Sequence, residues 1–133
     1  MKRITTIIGI LPVMLLLNYN DGLAQQLGDK VYWMLTTEVS IGKLTEYHAF
    51  NEKEVAPLME KHGYKPVATW QTIVGDIQEV LFVAEFESMA AYHKARVSLL
   101  GSEGWKTVSK KFDALVKSSK SRFLSATPYS KLK

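Results

Sequence analysis

The segment from Ile77 to Phe86 reads IQEVLFVAEF and contains an unbroken apolar run from Val80 to Ala84. Side chains of a β-strand alternate between its two faces, so this run predicts a strand that is buried on both faces. The preceding segment, Tyr64 to Val74, predicts a partner strand joined to it by a turn at Gly75-Asp76. The fold of the chain must therefore supply an apolar cover for each face of this hairpin.

The first 24 residues follow a different pattern from the rest. Lys2 and Arg3 precede an apolar run from Ile4 to Leu17, and Gly22-Leu23-Ala24 supplies small residues before a cleavage point. This pattern is typical of a secretory signal peptide and predicts an exported protein, periplasmic or secreted, cleaved near Ala24. The alternative is an uncleaved membrane anchor, but about 14 apolar residues are fewer than the roughly 20 that span a membrane.

Residues 25–133 are expected to form a single domain. The hydrophobic fraction of 47% and charged fraction of 23% are those of a globular protein. Loss of Lys2, Arg3 and Asp21 lowers the formal charge from +4 to +3, too little to predict a nucleic-acid partner. The chain has no cysteine, which excludes disulfides and thiol chemistry.

A strand and a long helix are predicted before the hairpin. The strand, Lys30 to Thr37, is apolar on both faces, with Trp33 on one and Met34 on the other. Helical spacing follows from Lys43 to His62, where Pro57 predicts a kink or break because proline lacks an amide proton and clashes with the preceding turn. Gly63 directly afterwards is suited to a left-handed helix C-cap.

Two helices and a short strand are predicted after the hairpin. Ser88 is placed to cap a helix from Met89 to about Leu100. A second helix carries an apolar stripe with amphipathic spacing. Its members are Trp105, Val108, Phe112, Leu115 and Val116. The segment Ser121 to Thr127 predicts the last strand, ended by Pro128.

The resulting order, β-α-β-β-α-α-β, predicts an α+β fold with a ferredoxin-like split β-α-β sheet and its helices on one face. No further element remains in the chain to cover the second face. Soluble monomers rarely expose so large an apolar surface. We therefore expect a homodimer in which two copies pack sheet against sheet, forming a dimeric α+β barrel.

Several short motifs resemble those of the NIPSNAP family, within the dimeric α+β barrel superfamily. The motifs are Gly42-Lys43-Leu44, Pro57-Leu58, Lys61-His62-Gly63, the stretch VATWQTIVGDIQEVLFVAEFES with Trp70, Gly75, Glu85 and Ser88, and finally Arg96 and Trp105. The resemblance extends over roughly Lys30 to Leu124. It implies the dimeric barrel fold, but the family has no single established reaction.

The superfamily also indicates which functions the resemblance implies for this chain. Some of its members oxidise phenolic molecules without metal or flavin, and others degrade haem. The signal peptide is a departure from the best-known NIPSNAP proteins, which belong to organelles or the cytoplasm.

Standard catalytic and metal-binding spacings are missing from the sequence. It contains no HExxH, no GxSxG and no glycine-rich phosphate loop. His48, His62 and His93 are too far apart in sequence to indicate a shared metal ion, and no metal is predicted.

Three side chains are weak candidates for catalysis. His48 is predicted on the inward side of the first helix, and it could act as a general base or a haem ligand; a boundary histidine is the plainer interpretation. His93 could face a pocket or solvent. Glu85 and Glu87 share one strand face and could form an acid-base pair, although a solvated rim is the plainer interpretation.

Trp33, Tyr47, Trp70 and Arg96 are the candidate ligand-binding residues. An aromatic-lined cavity would suit a flat apolar ligand such as a quinone or a polycyclic phenol. Arg96 could hold a ligand carboxylate or pair with a glutamate of the chain. No cofactor is expected, with haem as the alternative. Two functions follow: an exported dimeric module that binds a small ligand or a protein, or a cofactor-independent monooxygenase or haem-handling enzyme.

Overall fold

Within residues 30–132, which the computed structural model describes, four strands form one antiparallel sheet in the order β2-β3-β1-β4. The strands are β1 (Val31–Val39), β2 (Lys65–Gln71), β3 (Glu79–Phe86) and β4 (Val116–Ser125). The central position of β1 and β3 explains why both read as apolar on two faces. The predicted signal peptide lies outside the described residues.

The helices lie between these strands in the predicted order. They are α1 (Leu44–Phe50), α2 (Ala56–Lys61), α3 (Met89–Leu100) and α4 (Glu103–Leu115), with a 3-10 turn at Ile41–Lys43 before α1. A π-helical turn, Asn51–Val55, joins α1 to α2. The predicted break before Pro57 therefore takes the form of a local widening of the helix, which lets the chain continue into α2. The α+β ferredoxin-like fold is confirmed.

The sheet has two distinct faces. Trp33 is opposite Ala84, and Leu35 is opposite Phe82, on the face that carries the helices. On the other face, which we call the open face, Met34 is opposite Val83. The predicted division of β1 between its two faces is thus correct.

The core lies between the helices and the face of the sheet that carries Trp33. Phe86 packs edge-on between Tyr64 and Tyr92, at ring-centroid distances of 5.0 and 5.3 Å. Tyr92 continues the series to Phe123 of β4 at 4.7 Å. Edge-to-face aromatic pairs each contribute about 0.5–1.5 kcal/mol beyond the burial of their area. This series therefore joins α3 firmly to the sheet.

Caps define two helix starts and one helix end. The Ser88 hydroxyl accepts a hydrogen bond from the Ala91 amide at 3.1 Å, as predicted. The Ser102 hydroxyl accepts from the Trp105 amide at 3.1 Å and starts α4. Gly63 follows α2 with a φ of +93°, which confirms its role as a left-handed cap.

The last strand begins earlier than the sequence indicates. β4 starts at Val116, not at Ser121, and α4 ends at Leu115. The apolar stripe of α4 continues through Val116, and the following KSSKS run is equally compatible with a solvated helix. Pairing with β1 along its whole length overrides this local ambiguity.

The hairpin connection is also longer than predicted. Residues 72–78 form a loop closed by a hydrogen bond from the Thr72 amide to the Glu79 carbonyl, at 3.0 Å. Asp76 Oδ1 accepts from the Gln78 amide at 3.1 Å. Ile73 and Val74 at the tip are 87% and 85% exposed, so the apolar loop residues extend away from the core. None of the helices in residues 30–132 is long and apolar enough to span a membrane.

Candidate functional site

A cavity of about 630 Å³ lies between the helices and the helix-bearing face of the sheet. Aromatic side chains form much of its wall, with a smaller number of polar groups among them. The aromatic residues are Trp33, Tyr47, Tyr64, Phe82, Trp105 and Phe112, and the polar or charged ones are His48, Asn51, Glu52, Thr69, Arg96, Ser119 and Ser121. This size and lining are those of a small-molecule site.

The π-helical turn forms part of the cavity wall. Asn51, Glu52, Val55 and the adjoining Ala56 all line it. A π-turn adds a residue to the helical circuit and changes the direction of the side chains around it, and such turns occur frequently at functional sites. Here it brings an amide and a carboxylate to a largely apolar cavity.

Tyr47 supplies a buried hydroxyl to the cavity. Its side chain is 4% exposed, and burial raises the pKa of the hydroxyl, while hydrogen bonds with Thr37 and Asn51 partly oppose this shift. The hydroxyl is therefore protonated at neutral pH and able to donate. Thr37, a buried polar residue of β1, thus has a partner in the site.

His48 follows Tyr47 in α1 and is half-buried at the cavity wall. Its Nε2 lies 2.8 Å from Oε1 of Gln71, the last residue of β2. Its ring meets that of Tyr47 edge-on, with 5.8 Å between centroids. Two neighbours therefore hold the imidazole at the place that the sequence predicted, facing the sheet.

Tyr64, which directly precedes β2, and Arg96 of α3 also line the cavity. Burial raises the pKa of the Tyr64 hydroxyl to about 12, with a further rise from nearby Tyr92 and an opposing effect of Arg96. Arg96 Nη1 donates to the Tyr92 hydroxyl at 3.3 Å. Among the described residues it pairs with no carboxylate, so its charge is available to a ligand.

The structure brings together some predicted site residues and separates others. Trp33, Tyr47, His48 and Arg96 all line the cavity. Trp70 is opposite Leu81 on the open face and is 56% exposed, so it does not form part of the cavity wall. His93 lies on the exposed surface of α3 and does not line the cavity either.

Glu85 and Glu87 do not form a pair with each other, because each carboxylate binds a different lysine. Glu85, on the open face, binds the Lys30 ammonium at 3.1 Å and accepts from the Tyr32 hydroxyl at 3.3 Å. Glu87 binds Lys65 at 2.6 Å, and this contact lowers the pKa of its carboxyl. Each carboxylate therefore has its own cation, and neither lies at the cavity.

Several residues at or beside the cavity were not predicted from the sequence. Ser119 and Ser121 line the cavity because β4 begins at Val116, and strand alternation from that point would have placed them on the helix-bearing face. Gln71 had no signal in the sequence, since its contact with His48 depends on how α1 packs over β2. No cluster of potential metal-ligating side chains occurs in residues 30–132.

The family model for NIPSNAP matches residues 32–131, which is most of the chain and, except for Val31, all of the four strands. The chain belongs to the NIPSNAP family. A comparison with curated proteins gives no match.

Solved structures of other NIPSNAP proteins share its fold. A NIPSNAP family protein with unknown function from Agrobacterium tumefaciens has 19% sequence identity and a TM-score of 0.74, over 78% of this chain and 94% of that one. A second from the same organism has 19% identity and a TM-score of 0.75, over 80% and 93%. At such identities the likeness concerns the fold alone.

A protein of assigned activity also has this fold. SnoaB, a cofactor-independent oxygenase from Streptomyces nogalater, has 16% identity and a TM-score of 0.61. The match covers 80% of the present NIPSNAP chain and all of SnoaB. The ferredoxin-like fold of the NIPSNAP chain is therefore shared with an oxygenase.

Proposed function

We propose that this protein binds a flat, mostly apolar small molecule in the cavity between helices and sheet. The observation that carries the proposal is the cavity itself, about 630 Å³ in volume and walled by aromatic side chains. Ligand sites are typically about 300–1,000 Å³ in volume, with apolar walls and a few polar groups that fix orientation. In this cavity Tyr47, His48 and Arg96 are those polar groups.

The aromatic wall favours a ring system over a flexible chain. Trp33 packs edge-on against both Tyr64 and Phe82, at 5.8 and 6.2 Å between centroids. These contacts hold the rings in place before a ligand enters, so little side-chain entropy is lost on binding. Quinones and polycyclic phenols have the apolar faces and polar edges that match this wall.

A cofactor-independent oxygenase is the second candidate function. It is favoured by the position of His48, which lines the cavity beside an aromatic wall and could accept a proton from a phenolic substrate. The fold shared with the oxygenase SnoaB agrees with this candidate. Haem is a less suitable occupant, because the His48 Nε2 that would bind iron is engaged by Gln71 at 2.8 Å.

We also propose that the protein is a homodimer joined through the open face. Trp70 and Leu124 are 56% and 39% exposed near the edges of this face, whereas Val83 at its centre is buried. The helices pack on the opposite face. A second copy would remove both exposed side chains from water, with a gain of roughly 25 cal/mol per Å² of apolar surface.

The open face carries charges of both signs that lack an ion-pair partner within the described chain, which favours a second copy as its occupant. Lys120 and Arg122 of β4 lie on this face, opposite Thr36 and Met34, and form no ion pair within the described chain. Glu79 of β3 is likewise without a cation there. In a two-fold dimer each copy would offer its cations to the carboxylates of the other.

Export remains a proposal based on the N-terminal sequence. Cleavage after Ala24 would leave Gln25 as the first residue of the mature protein. Intact mass of the protein recovered from its natural source would show this start, and a mass that retains Met1 would contradict it.

A thermal-shift titration with quinones, polycyclic phenols and haem tests the cavity function. A ligand that binds only the folded state stabilises it by about 2.7 kcal/mol at a concentration of 100 Kd. For a domain of this size we expect a rise in Tm on the order of 10 °C at that concentration, and a further rise with the logarithm of the ligand concentration. Absence of a shift with all three classes would contradict the proposal.

His48→Ala and His93→Ala are the matched variants for this titration, because only the first histidine lines the cavity. The shift should fall in His48→Ala and persist in His93→Ala. Equal shifts in both would remove the support for His48 as a ligand contact. A separate measurement distinguishes the two candidate functions. Addition of the stabilising phenol to the wild-type protein should cause oxygen uptake if the protein is an oxygenase and none if it only binds the ligand.

A further inference from the structure

A series of two hydrogen bonds connects His48 to the loop at residues 72–78. The imidazole Nε2 lies 2.8 Å from Oε1 of Gln71, and Nε2 of Gln71 lies 3.2 Å from the backbone carbonyl oxygen of Ile77. His48 lines the cavity, whereas Gln71 and Ile77 do not. The bonds therefore lead from the cavity wall outward to the edge of the sheet.

The contact with Ile77 fixes the orientation of the Gln71 amide. A carbonyl oxygen can only accept a hydrogen bond, so the amide NH₂ group must face Ile77. The amide oxygen then faces His48, and this oxygen also only accepts. The imidazole Nε2 must consequently carry a proton. In the neutral ring the lone pair is then on Nδ1.

The loop backbone holds the Ile77 carbonyl in place. The Ile77 amide donates to the Gly75 carbonyl at 3.1 Å, and the Glu79 amide donates to the Asp76 carbonyl at 3.0 Å. A flip of the Gln71 amide would place its oxygen against the carbonyl oxygen of Ile77, where neither can donate. The amide NH₂ group would then face His48, and Nε2 could accept from it only in the tautomer with the proton on Nδ1. The observed arrangement pairs a donor with an acceptor at both contacts of the series.

We propose that Gln71 is a positioning residue that holds His48 in the Nε2–H tautomer, so that Nδ1 is the basic nitrogen of the site. The inference rests on the cavity function proposed above and narrows its ligand class. His48 lines the cavity, so with Nδ1 as its only acceptor it favours a ligand that donates a hydrogen bond, such as a phenolic or enolic hydroxyl group.

The same arrangement supports proton transfer. When a phenolic hydroxyl passes its proton to Nδ1, the O–H electron pair stays on the ligand oxygen, and a phenolate and an imidazolium are formed. Nε2–H continues to donate to Gln71 Oε1, and this bond becomes stronger because its donor is now charged. Gln71 thus stabilises both protonation states of His48 without moving.

Nitrogen-15 NMR of the imidazole side chains, recorded without ligand in mildly alkaline buffer, tests this inference. Comparison with His48→Ala assigns the signals. In the wild-type protein we expect His48 to show one protonated nitrogen, Nε2, and one unprotonated nitrogen, Nδ1. Gln71→Leu should lose this single state and give the averaged signals of an imidazole that exchanges between tautomers.

Two further variants separate positioning from a general effect on structure. Gln71→Glu loses the bond to the Ile77 carbonyl but keeps an acceptor beside Nε2, so it should restore a proton on Nε2. Gln78→Leu is the matched control, because Gln78 lies in the adjoining loop and accepts from Lys117 at 2.6 Å without contacting His48. It should leave the His48 signals unchanged.

A wild-type His48 with its proton on Nδ1, or a mixture of tautomers, would overturn the inference before any variant is made. The same single tautomer in Gln71→Leu would also overturn it. Because the spectra are recorded on the free protein, this failure is distinct from a failure of ligand binding in the thermal-shift titration.

Discussion

At the scale of single residues, Gly63 shows how a local signal in the sequence becomes a structural requirement. Its φ of +93° is strained for any residue with a Cβ, and an added Cβ would lie 3.5 Å from that of Ala95, an ordinary contact. The strain of Gly63→Ala is therefore one of the backbone, and we expect a loss of about 1–2 kcal/mol in the free energy of unfolding.

Denaturant titration measures this loss, and Gly42→Ala is the matched control. An alanine Cβ at Gly42 meets no atom within 4 Å, and its φ is not positive. Its free energy of unfolding should change by less than about 0.5 kcal/mol. Equal effects of the two substitutions would show that the left-handed backbone at Gly63 is not under strain.

Tyr64 should make the protein less stable in alkaline solution. Burial raises its pKa from about 10 to about 12, so the unfolded chain loses this proton at lower pH than the folded protein. The contribution of Tyr64 is complete below pH 10 and is lost as the pH rises toward 12. Tyr64→Phe should reduce this alkaline loss of unfolding free energy by on the order of 2 kcal/mol.

Tyr129→Phe is the control for that measurement, because the Tyr129 side chain is 87% exposed. Urea unfolding at several pH values between 9 and 12 should give parallel curves for the wild type and Tyr129→Phe. An unchanged pH dependence in Tyr64→Phe would show that the Tyr64 hydroxyl is accessible to solvent in the folded protein.

Local periodicity determines the position of some site residues, and strand pairing determines that of others. Only the first kind can be predicted from the sequence. Trp33 and His48 follow from the periodicity of their own elements. Trp70 does not, because the pairing of β2 with β3 shifts register between Pro66 and Ala68. An irregularity of this kind reverses the face of every side chain beyond it, and no local pattern indicates it.

At the scale of elements, the start of α4 depends on Ser102. The Ser102 hydroxyl accepts from the Trp105 amide and donates to the Leu99 carbonyl at 2.7 Å, so it caps one helix and binds the end of the other. Ser102→Ala should lower the free energy of unfolding by about 1 kcal/mol or slightly more. Ser109→Ala, in the middle of α4, is the control and should have little effect; comparable losses would contradict the cap.

The boundaries of elements were less predictable than their order. Proline at position 57 indicated an interruption, but the π-turn at Asn51–Val55 depends on packing over the sheet. The change from α4 to β4 at Val116 is set by nine residues of pairing with β1, which a run of lysine and serine does not indicate. The π-turn lines the cavity and the start of β4 decides which of its side chains reach it, so the site was less visible in the sequence than the fold.

At the scale of the whole molecule, the two-faced sheet follows from the apolar run at Val80 to Ala84. Helices cover one face of β3, and the proposed dimer covers the other. Light scattering should therefore give twice the mass of one chain. A monomer at micromolar concentration would contradict the dimer.

A charge reversal tests whether the open face is the interface. Arg122→Glu should weaken the dimer by at least about tenfold, because like charges placed across an interface cost several kcal/mol. Lys110→Glu, on the exposed surface of α4, makes the same change in charge away from this face and should leave the dimer intact. Equal behaviour of the two variants would place the interface elsewhere.

The most direct test of the central claim is a calorimetric titration of naphthol into the wild-type protein and two tryptophan variants. Ser119→Trp places a large ring in the cavity, whereas Ser118→Trp places the same ring on the opposite face of β4. We predict one saturable site per chain in the wild type and in Ser118→Trp, with a negative heat-capacity change, and at least about tenfold weaker binding in Ser119→Trp. Absence of binding to the wild type, or equal affinities of the two variants, would contradict a ligand site in this cavity.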